Sequence, residues 1–189
     1  MYGVLPHGLS SVTDLLHLPD ESRYELIAGR LVMLDWTPVH QDLCLNLLLA
    51  VSEYCPGNLL PSLHVSVAVD RRHEFRPDVL VMRTSCADVS PLPVTEVVLA
   101  VEVLASHDRF HDLYDKAKVY AKAGVGSYWV IDPLQERIML TEYALGSGRE
   151  HEQVAHTEDL FVTERPWKVS VDLPALTARR NDLLATDAE

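Results

Sequence analysis

Two carboxylates beside apolar runs, followed by one lysine, are the residues in this sequence best suited to chemistry. Asp78 precedes the apolar residues 79–82, and Glu102 lies inside the apolar run at residues 97–104. A buried carboxylate without a partner costs several kcal/mol or becomes neutral, so Glu102 needs a metal ion, a lysine or several hydrogen-bond donors. We therefore interpret Glu102 as a functional residue, with a structural ion pair as the alternative.

Oxygen ligands of this kind suit magnesium. Mg²⁺ prefers near-octahedral oxygen coordination, commonly one or two carboxylates together with waters and a substrate phosphate. If Asp78 and Glu102 lie on neighbouring strands, they can supply that pair, and the ion would polarise a phosphoryl oxygen and activate a water. A lysine close to that water can orient it or stabilise the developing negative charge.

Helical periodicity selects Lys116 as that lysine. At 100° per residue, one side of the predicted helix at residues 108–123 carries Lys116 together with residues 109, 112, 113, 117, 120 and 123. Lys118 and Lys122 lie on the opposite, solvated side. The alternative is that Lys116 simply pairs with Asp112 at i, i+4, which contributes a few tenths of a kcal/mol.

The segments before Asp78 supply two further candidates. Residues 24–27 and 30–34 flank Ala28-Gly29, which predicts a β-hairpin. Glu25 alternates onto one face of that hairpin, where it either faces solvent or reaches the metal site. Thr37 and Pro38 predict the start of a helix at residues 39–54. His40 lies in its first turn, as a surface or capping residue or as a contact to phosphate.

Strand patterns predict a mixed sheet. The pattern predicts strands at residues 64–70, 75–82, 97–104, 128–131 and 137–144. It predicts two further strands, with a weaker signal, at residues 152–157 and 167–171. The strands on either side of the helix at 108–123 form a βαβ unit, which predicts a parallel pair. A short helix is expected at residues 10–16, and a terminal patch and frayed end after residue 172. We predict one domain over residues 1–189, with its core at about residues 10–176.

Composition limits the functional classes. The chain has 28 Asp and Glu against 16 Lys and Arg, a net charge of −12, so a broad phosphate-binding surface is not expected. The segment Arg71-Arg72-His73 is its compact basic cluster, which we expect to be a solvated turn. Three cysteines without a CxxC pair favour free thiols in a reducing cytoplasm. No run approaches the length of a membrane span, so a cytoplasmic location without membrane association is expected.

These motifs resemble the Uma-two family of restriction-endonuclease-like proteins, within the PD-(D/E)xK nuclease superfamily. The similarity covers about residues 10–176. Its motifs are Arg23-Tyr24-Glu25-Leu26-Ile27 with Gly29, His40 after Pro38, Arg76-Pro77-Asp78, Val101-Glu102-Val103-Leu104, Asp112 with Lys116 and Tyr120, Ala123-Gly124-Val125, Tyr128-Trp129 and Ile131-Asp132-Pro133.

The resemblance implies a restriction-endonuclease-like α/β core, a central mixed sheet flanked by helices, with an N-terminal hairpin and C-terminal strands. It also implies metal-dependent hydrolysis of phosphodiester bonds. We expect a DNA endonuclease or nickase that uses Mg²⁺ or Mn²⁺, and a homodimer if two strands are cut. Asp78 and Glu102 match the metal-binding carboxylates, Lys116 the helix lysine and Glu25 an N-terminal acid that completes the site. His40, Arg76 and Ser106 are the expected substrate-binding residues.

Two departures from the family pattern leave other functions open. Leu104 stands where the superfamily usually has a lysine, and Ala105-Ser106-His107 replaces the usual Ser-Pro-Ser. The alternatives are a nuclease-fold module that binds or regulates without cutting, and a different metal hydrolase that uses His40, His107 or His111 with the carboxylates. No HxH or HExxH spacing supports the latter.

Overall fold

A computed structural model describes residues 24–34, 36–105 and 110–185, and for residues 110–114 the backbone alone. In chain order the elements are β1 (Tyr24–Ile27), β2 (Arg30–Met33), α1 (Pro38–Ser52), β3 (Leu59–Leu63), β4 (Val67–Asp70), β5 (His73–Phe75), β6 (Val79–Arg83), β7 (Leu92–Pro93), β8 (Val97–Val103), α2 (Phe110–Ala123), β9 (Ser127–Asp132), β10 (Met139–Leu145), β11 (His151–Thr157), β12 (Leu160–Thr163), β13 (Val169–Asp172) and α3 (Leu173–Ala185).

The hairpin β1–β2 forms as its sequence predicts. Ala28 and Gly29 both have positive φ, of 52° and 79°, which is the conformation of the tight turns that suit the twist of paired strands. Ile27 pairs with Arg30 across the turn. The backbone N–H of Gly29 donates to Arg72 O at 2.9 Å, so the turn is tied to the β4–β5 connection.

The first helix also begins where its cap predicts. Thr37 has an extended backbone, and its hydroxyl accepts a hydrogen bond from the His40 N–H. Pro38 occupies the first turn, where its missing N–H leaves no partner unsatisfied. Leu43, Leu47 and Val51 are buried along one side of α1, which therefore packs on the sheet.

A six-stranded mixed sheet forms the centre of the fold, in the order β11-β10-β9-β8-β6-β3. β8 and β9 are parallel and are joined by α2, which confirms the predicted βαβ unit. β6 and β8 are antiparallel, with Val79 opposite Val101. A second sheet, in the order β2-β1-β5-β4-β7, contains the hairpin.

Alternating residues of the central sheet build two separate cores. Val79 and Val101 face a cluster that includes side chains of α1, of the two-stranded sheet β12–β13 and of α3. Leu80 and Ala100 face the opposite cluster, which contains Phe75 of the second sheet and side chains that include Tyr120 of α2. Glu102 has the same parity as Ala100, so it points toward α2 and the second sheet.

Two strand predictions in the middle of the chain were wrong. Residues 64–70 are not one strand, because His64 has a φ of 52° and the strand β4 begins only at Val67, while β3 was missed. Residues 75–82 are not one strand either, because Phe75 ends β5 in the second sheet and Val79 begins β6 in the central sheet. Residues 76–78 make the crossing, and the alternation shifts there, because Phe75 and Leu80 face the same core.

The C-terminal region is more regular than its sequence predicts. β11 and β13 correspond to the two weaker strands, but β12 and α3 were missed. The side chain of Asp172 accepts a hydrogen bond from the N–H of Ala175 at 2.9 Å, which caps the start of α3. The helix continues through Ala185, into the segment that was expected to be frayed. The predicted helix at residues 10–16 and the start of the helix before Phe110 lie outside the described residues.

None of the helices in the described ranges has the length and apolarity needed to cross a membrane.

Arg180 fastens α3 to the β9–β10 turn, which leads to a stability prediction. Its side chain is buried and donates to three backbone carbonyls, those of Pro133, Gln135 and Glu136. Arg180→Met should lower the free energy of unfolding by about 2–3 kcal/mol, because these acceptors lose a charged donor. Denaturant unfolding monitored by circular dichroism measures this difference.

The neighbouring Arg179 provides the matched control. Its side chain is 54% exposed and pairs with Asp42 at the surface, so Arg179→Met should cost less than about 1 kcal/mol. Equal losses in the two variants would contradict a specific role for Arg180.

Candidate active site

Glu102 is the most unusual residue in the described part of the chain. It lies in β8, is 4% exposed, and its Oε2 accepts a hydrogen bond from Lys116 Nζ at 3.0 Å. Its other oxygen, Oε1, is buried and has no hydrogen-bond partner among the described residues. Burial raises the pKa of Glu102 to about 8, although attraction to Lys116 acts in the opposite direction. A buried carboxyl oxygen without a donor marks a place where a cation would be stabilised.

Asp78 lies immediately before β6 and opposite Glu102, since Val79 pairs with Val101. Its Oδ2 accepts a hydrogen bond from the N–H of Val103 at 2.7 Å. Burial acts to raise the pKa of Asp78, but the His40 and His64 imidazoles and the Val103 N–H outweigh it and hold that pKa below its usual range. Asp78 is therefore an anion at neutral pH.

Two histidines flank the Asp78 carboxylate. His40 Nε2 lies 3.5 Å from Oδ2, and His64 Nε2 lies 3.6 Å from Oδ1. His40 is buried rather than at the surface, and its Nε2 is also 3.2 Å from Val103 O. His64 was not predicted as a site residue, because its sequence context favoured a strand position. Its neighbours Leu63 and Val65 are apolar, so its sequence context carried no signal for this role.

Lys116 connects the two sheets at this point. It is 4% exposed, and Nζ donates to Glu25 Oε1 at 2.8 Å as well as to Glu102. Burial acts to lower the pKa of Lys116, but attraction to Glu102 and Glu25 outweighs it and raises that pKa above its usual value. Lys118 and Lys122 are exposed, as the helical count predicts. The side chain of Asp112 lies outside the described residues.

Glu25 belongs to the same group of charges. It is 1% exposed, so the prediction of a solvent-facing strand residue was wrong and the alternative, a side chain that reaches the site, is the arrangement observed. Its Oε1 accepts hydrogen bonds from the Arg76 N–H, at 2.7 Å, and from Lys116. Strand alternation could not settle this, because the groups that contact Glu25, on Arg76 and Lys116, lie far along the chain.

Arg76 lies at the crossing between the sheets and is also buried. Its guanidinium is 3.2 Å from Glu74 Oε1 and donates to Tyr24 O at 3.1 Å. These contacts connect β5 with β1 behind the carboxylates. The predicted substrate-binding residue Ser106 lies outside the described residues, as does His107, and the side chain of His111 is not described.

A small pocket of about 30 Å³ opens among these side chains. Its lining contains the predicted site residues of the described chain and an apolar wall: Glu25, Ile27, Val32, Leu34, Trp36, His40, Arg76, Asp78, Glu102, Val103, Leu104, Ala105 and Lys116. The volume suits an ion or about two waters.

Donor chemistry in the pocket fits a divalent cation. Asp78 offers an ionised carboxylate, and Glu102 offers an oxygen to which no residue in the described ranges donates. Together they suit Mg²⁺ or Mn²⁺. A second set, formed by His40, Cys44 and Asp78, has donor atoms within 4.8 Å of one another. Burial raises the pKa of the Cys44 thiol, so it is a neutral hydrogen-bonding group 3.5 Å from His40 Nδ1 and a poor ligand in that state.

Two comparisons relate the chain to known proteins. The sequence profile of the Uma2 family, described as "Putative restriction endonuclease", matches residues 12–177. A crystal structure from Anabaena variabilis ATCC 29413, described as "a putative nuclease belonging to DUF820", is similar with a TM-score of 0.66 and 17% sequence identity, covering 90% of this chain and 98% of that one. Among curated proteins, none matches the chain.

These comparisons confirm the resemblance drawn from the sequence motifs. The solved structure, at this low identity, supports the mixed α/β fold alone, whereas the profile spans most of the chain. The protein therefore belongs to the Uma2 (Uma-two) family of restriction-endonuclease-like proteins.

Proposed function

We propose that this protein is a metal-dependent endonuclease that hydrolyses DNA phosphodiester bonds at the pocket between its two sheets. The observation that carries the proposal is the position of the buried Glu102 carboxyl. Lys116 donates to one of its oxygens, while the other has no donor among the residues that the structure describes. The carboxyl lies opposite the anionic Asp78, so a cation between the two would satisfy that oxygen.

In this proposal Asp78 and Glu102 hold Mg²⁺ or Mn²⁺. When bound, the cation would polarise a phosphoryl oxygen and favour deprotonation of an attacking water. The Val103 N–H and the two histidines fix the Asp78 carboxylate. That support leaves Asp78 with few orientations, which is the preorganisation that metal ligands require.

Lys116 then acts on the water or the phosphate as a cation. An ammonium has three N–H donors, and Glu25 and Glu102 accept from it. We assign its remaining donor to the attacking water or to a phosphoryl oxygen that gains negative charge. A raised pKa keeps Lys116 protonated at neutral pH, so it stabilises charge and does not serve as the general base. Glu25 positions the ammonium.

The remaining assignments follow from the same site. His40 and Arg76 line the pocket, and we propose that they contact substrate phosphate in addition to the contacts they make within the protein. We assign the same role to Ser106. We also propose that the protein is a homodimer and that each chain is a single domain in the cytoplasm.

A non-catalytic binding or regulatory module is the second candidate. The observation that favours it is charge, since the chain carries −12. The two cations that line the pocket, Lys116 and Arg76, are both engaged by carboxylates. Such a site offers few contacts to a phosphate backbone, from which most nonspecific affinity for DNA arises.

Cleavage assays on Glu102→Gln test the proposal. Supercoiled, linear duplex and single-stranded DNA would be incubated with Mg²⁺ or Mn²⁺, and products separated on gels. Wild type should nick or cut at least one of them. Glu102→Gln should cut at least about 100-fold more slowly. Loss of a residue that merely supports a metal ligand costs about 10- to 100-fold, and loss of the ligand itself should cost no less.

The exposed Glu53 gives a matched control, and Glu53→Gln should cut as the wild type does. Cleavage that is unchanged in Glu102→Gln would remove this residue from the metal site. Metal binding without cleavage of any of these substrates would favour the binding module.

A further inference from the structure

The carboxylates of the pocket lie in a recess. Glu25, Asp78 and Glu102 are 1%, 5% and 4% exposed. The pocket has room for an ion or about two waters, so a phosphodiester group must be brought to its mouth. An intact duplex is stiff and wide, whereas a flexible single strand can turn one phosphate toward such a recess.

One wall of this recess is apolar and contains a tryptophan. Val32 and Trp36 are half-buried and line the same pocket as the carboxylates. The Trp36 ring packs on His64, with ring centroids 4.2 Å apart and planes tilted by 40°. His64 in turn contacts Asp78. The indole is thus held beside the carboxylates of the pocket, because it packs on the histidine that contacts Asp78.

Charge argues for the same kind of ligand. The pocket cations Lys116 and Arg76 are paired with carboxylates of the protein, and the whole chain is acidic. Affinity for a polynucleotide must then come largely from contacts to bases. Stacking of a base on an aromatic ring contributes about 1–3 kcal/mol and requires that the base be unpaired.

We propose that Trp36 is a stacking platform for an unpaired nucleobase, so that the substrate is single-stranded nucleic acid or a single-stranded segment adjoining the cleaved phosphate. The inference rests on the proposed nuclease function for its chemistry. Binding of a base can nevertheless be measured without cleavage. A failure of the stacking proposal can therefore be distinguished from a failure of the nuclease proposal.

Binding is tested with the full chain in the presence of EDTA, which prevents metal-dependent cleavage. The probe is a fluorescein-labelled thymidine oligonucleotide, and its anisotropy reports affinity. Trp36→Ala should bind about 5- to 150-fold more weakly, which is the loss of one stacked base, while Trp36→Phe should keep most of the affinity. Thermal unfolding of both variants confirms that each is folded.

Intrinsic fluorescence gives a second readout. Of the three tryptophans, Trp129 and Trp167 are 0% and 8% exposed, so quenching by an unlabelled thymidine oligonucleotide reports chiefly on Trp36. An abasic oligonucleotide of the same length should not quench, and a matched duplex should quench far less. A uridine oligonucleotide shows whether RNA is bound through the same contact.

The salt dependence adds a third criterion. The slope of the logarithm of the binding constant against the logarithm of the salt concentration reports how many phosphates are neutralised. For the single strand we expect a slope that corresponds to no more than about two phosphates. Equal affinity of Trp36→Ala and wild type would overturn the proposal, as would equal binding of the abasic strand or of the duplex. Base-dependent binding without any cleavage would leave Trp36 in this role and contradict the nuclease proposal alone.

Discussion

Replacing Lys116 with methionine should lower the free energy of unfolding by about 3–5 kcal/mol. The methionine fills much of the same volume, but Glu25 and Glu102 then remain buried without their shared cation. Removal of one partner of a buried ion pair leaves the other charge uncompensated. The cost of keeping that charge buried sets the size of the expected loss. Urea unfolding at neutral pH measures it.

Exposed Lys122 on the same helix is the control. Lys122→Met should change stability by less than about 0.5 kcal/mol. A double variant, Lys116→Met with Glu25→Gln, should recover part of the loss, because one of the two stranded carboxylates becomes a neutral amide. If Lys116→Met is as stable as the wild type, the three charges do not form the tightly coupled group described above.

Asp78→Asn should abolish cleavage while leaving the fold intact. Asparagine has nearly the same shape, and its carbonyl oxygen can still accept from the Val103 N–H. It lacks the negative charge that a hard cation requires. We expect at least about a 100-fold loss of the cleavage rate, with a change in unfolding free energy of less than about 1.5 kcal/mol. Gel assays and urea unfolding of the same preparation give both quantities.

Asp88→Asn, at an exposed position, provides the matched control and should change neither quantity. A variant of Asp78 that still cuts DNA at the wild-type rate would show that this carboxylate is not a metal ligand. A variant that fails to fold would require the test to be made with Asp78→Glu, which retains the charge and displaces the carboxylate.

Part of the site was predictable because local pattern and burial agree. Glu102 stands out since every neighbour in its strand is apolar, and the structure shows it 4% exposed. Lys116 was separated from Lys118 and Lys122 by helical periodicity alone. In both cases the direction of the side chain follows from the period of its own regular element, which can be read from the sequence.

Other parts were not predictable because they depend on distant contacts. Glu25 is buried by contacts with Arg76 and Lys116, which do not follow from the alternation of β1. His64 has an unusual positive φ and reaches Asp78 across the fold. At the crossing at residues 76–78 the alternation shifts, because Phe75 and Leu80 face the same core. The apolar run at residues 79–82 has no alternation that could have revealed this shift.

The lysine of the site illustrates how the superfamily pattern is accommodated here. Leu104 occupies the strand position where a lysine is usual, and it is buried as an apolar residue. Lys116 reaches Glu102 from α2 instead. The charge is therefore delivered to the pocket from the helix, as the Uma-two resemblance implies.

Calorimetric titration with Mn²⁺ measures whether Asp78 and Glu102 hold a cation, on which every catalytic assignment depends. We expect the wild type to bind one Mn²⁺ at or below millimolar concentrations. We expect Asp78→Asn and Glu102→Gln to lose this binding, while Asp88→Asn keeps it. A folded wild type that binds no Mn²⁺ at millimolar concentrations, or site variants that bind as the wild type does, would show that these carboxylates form no metal site.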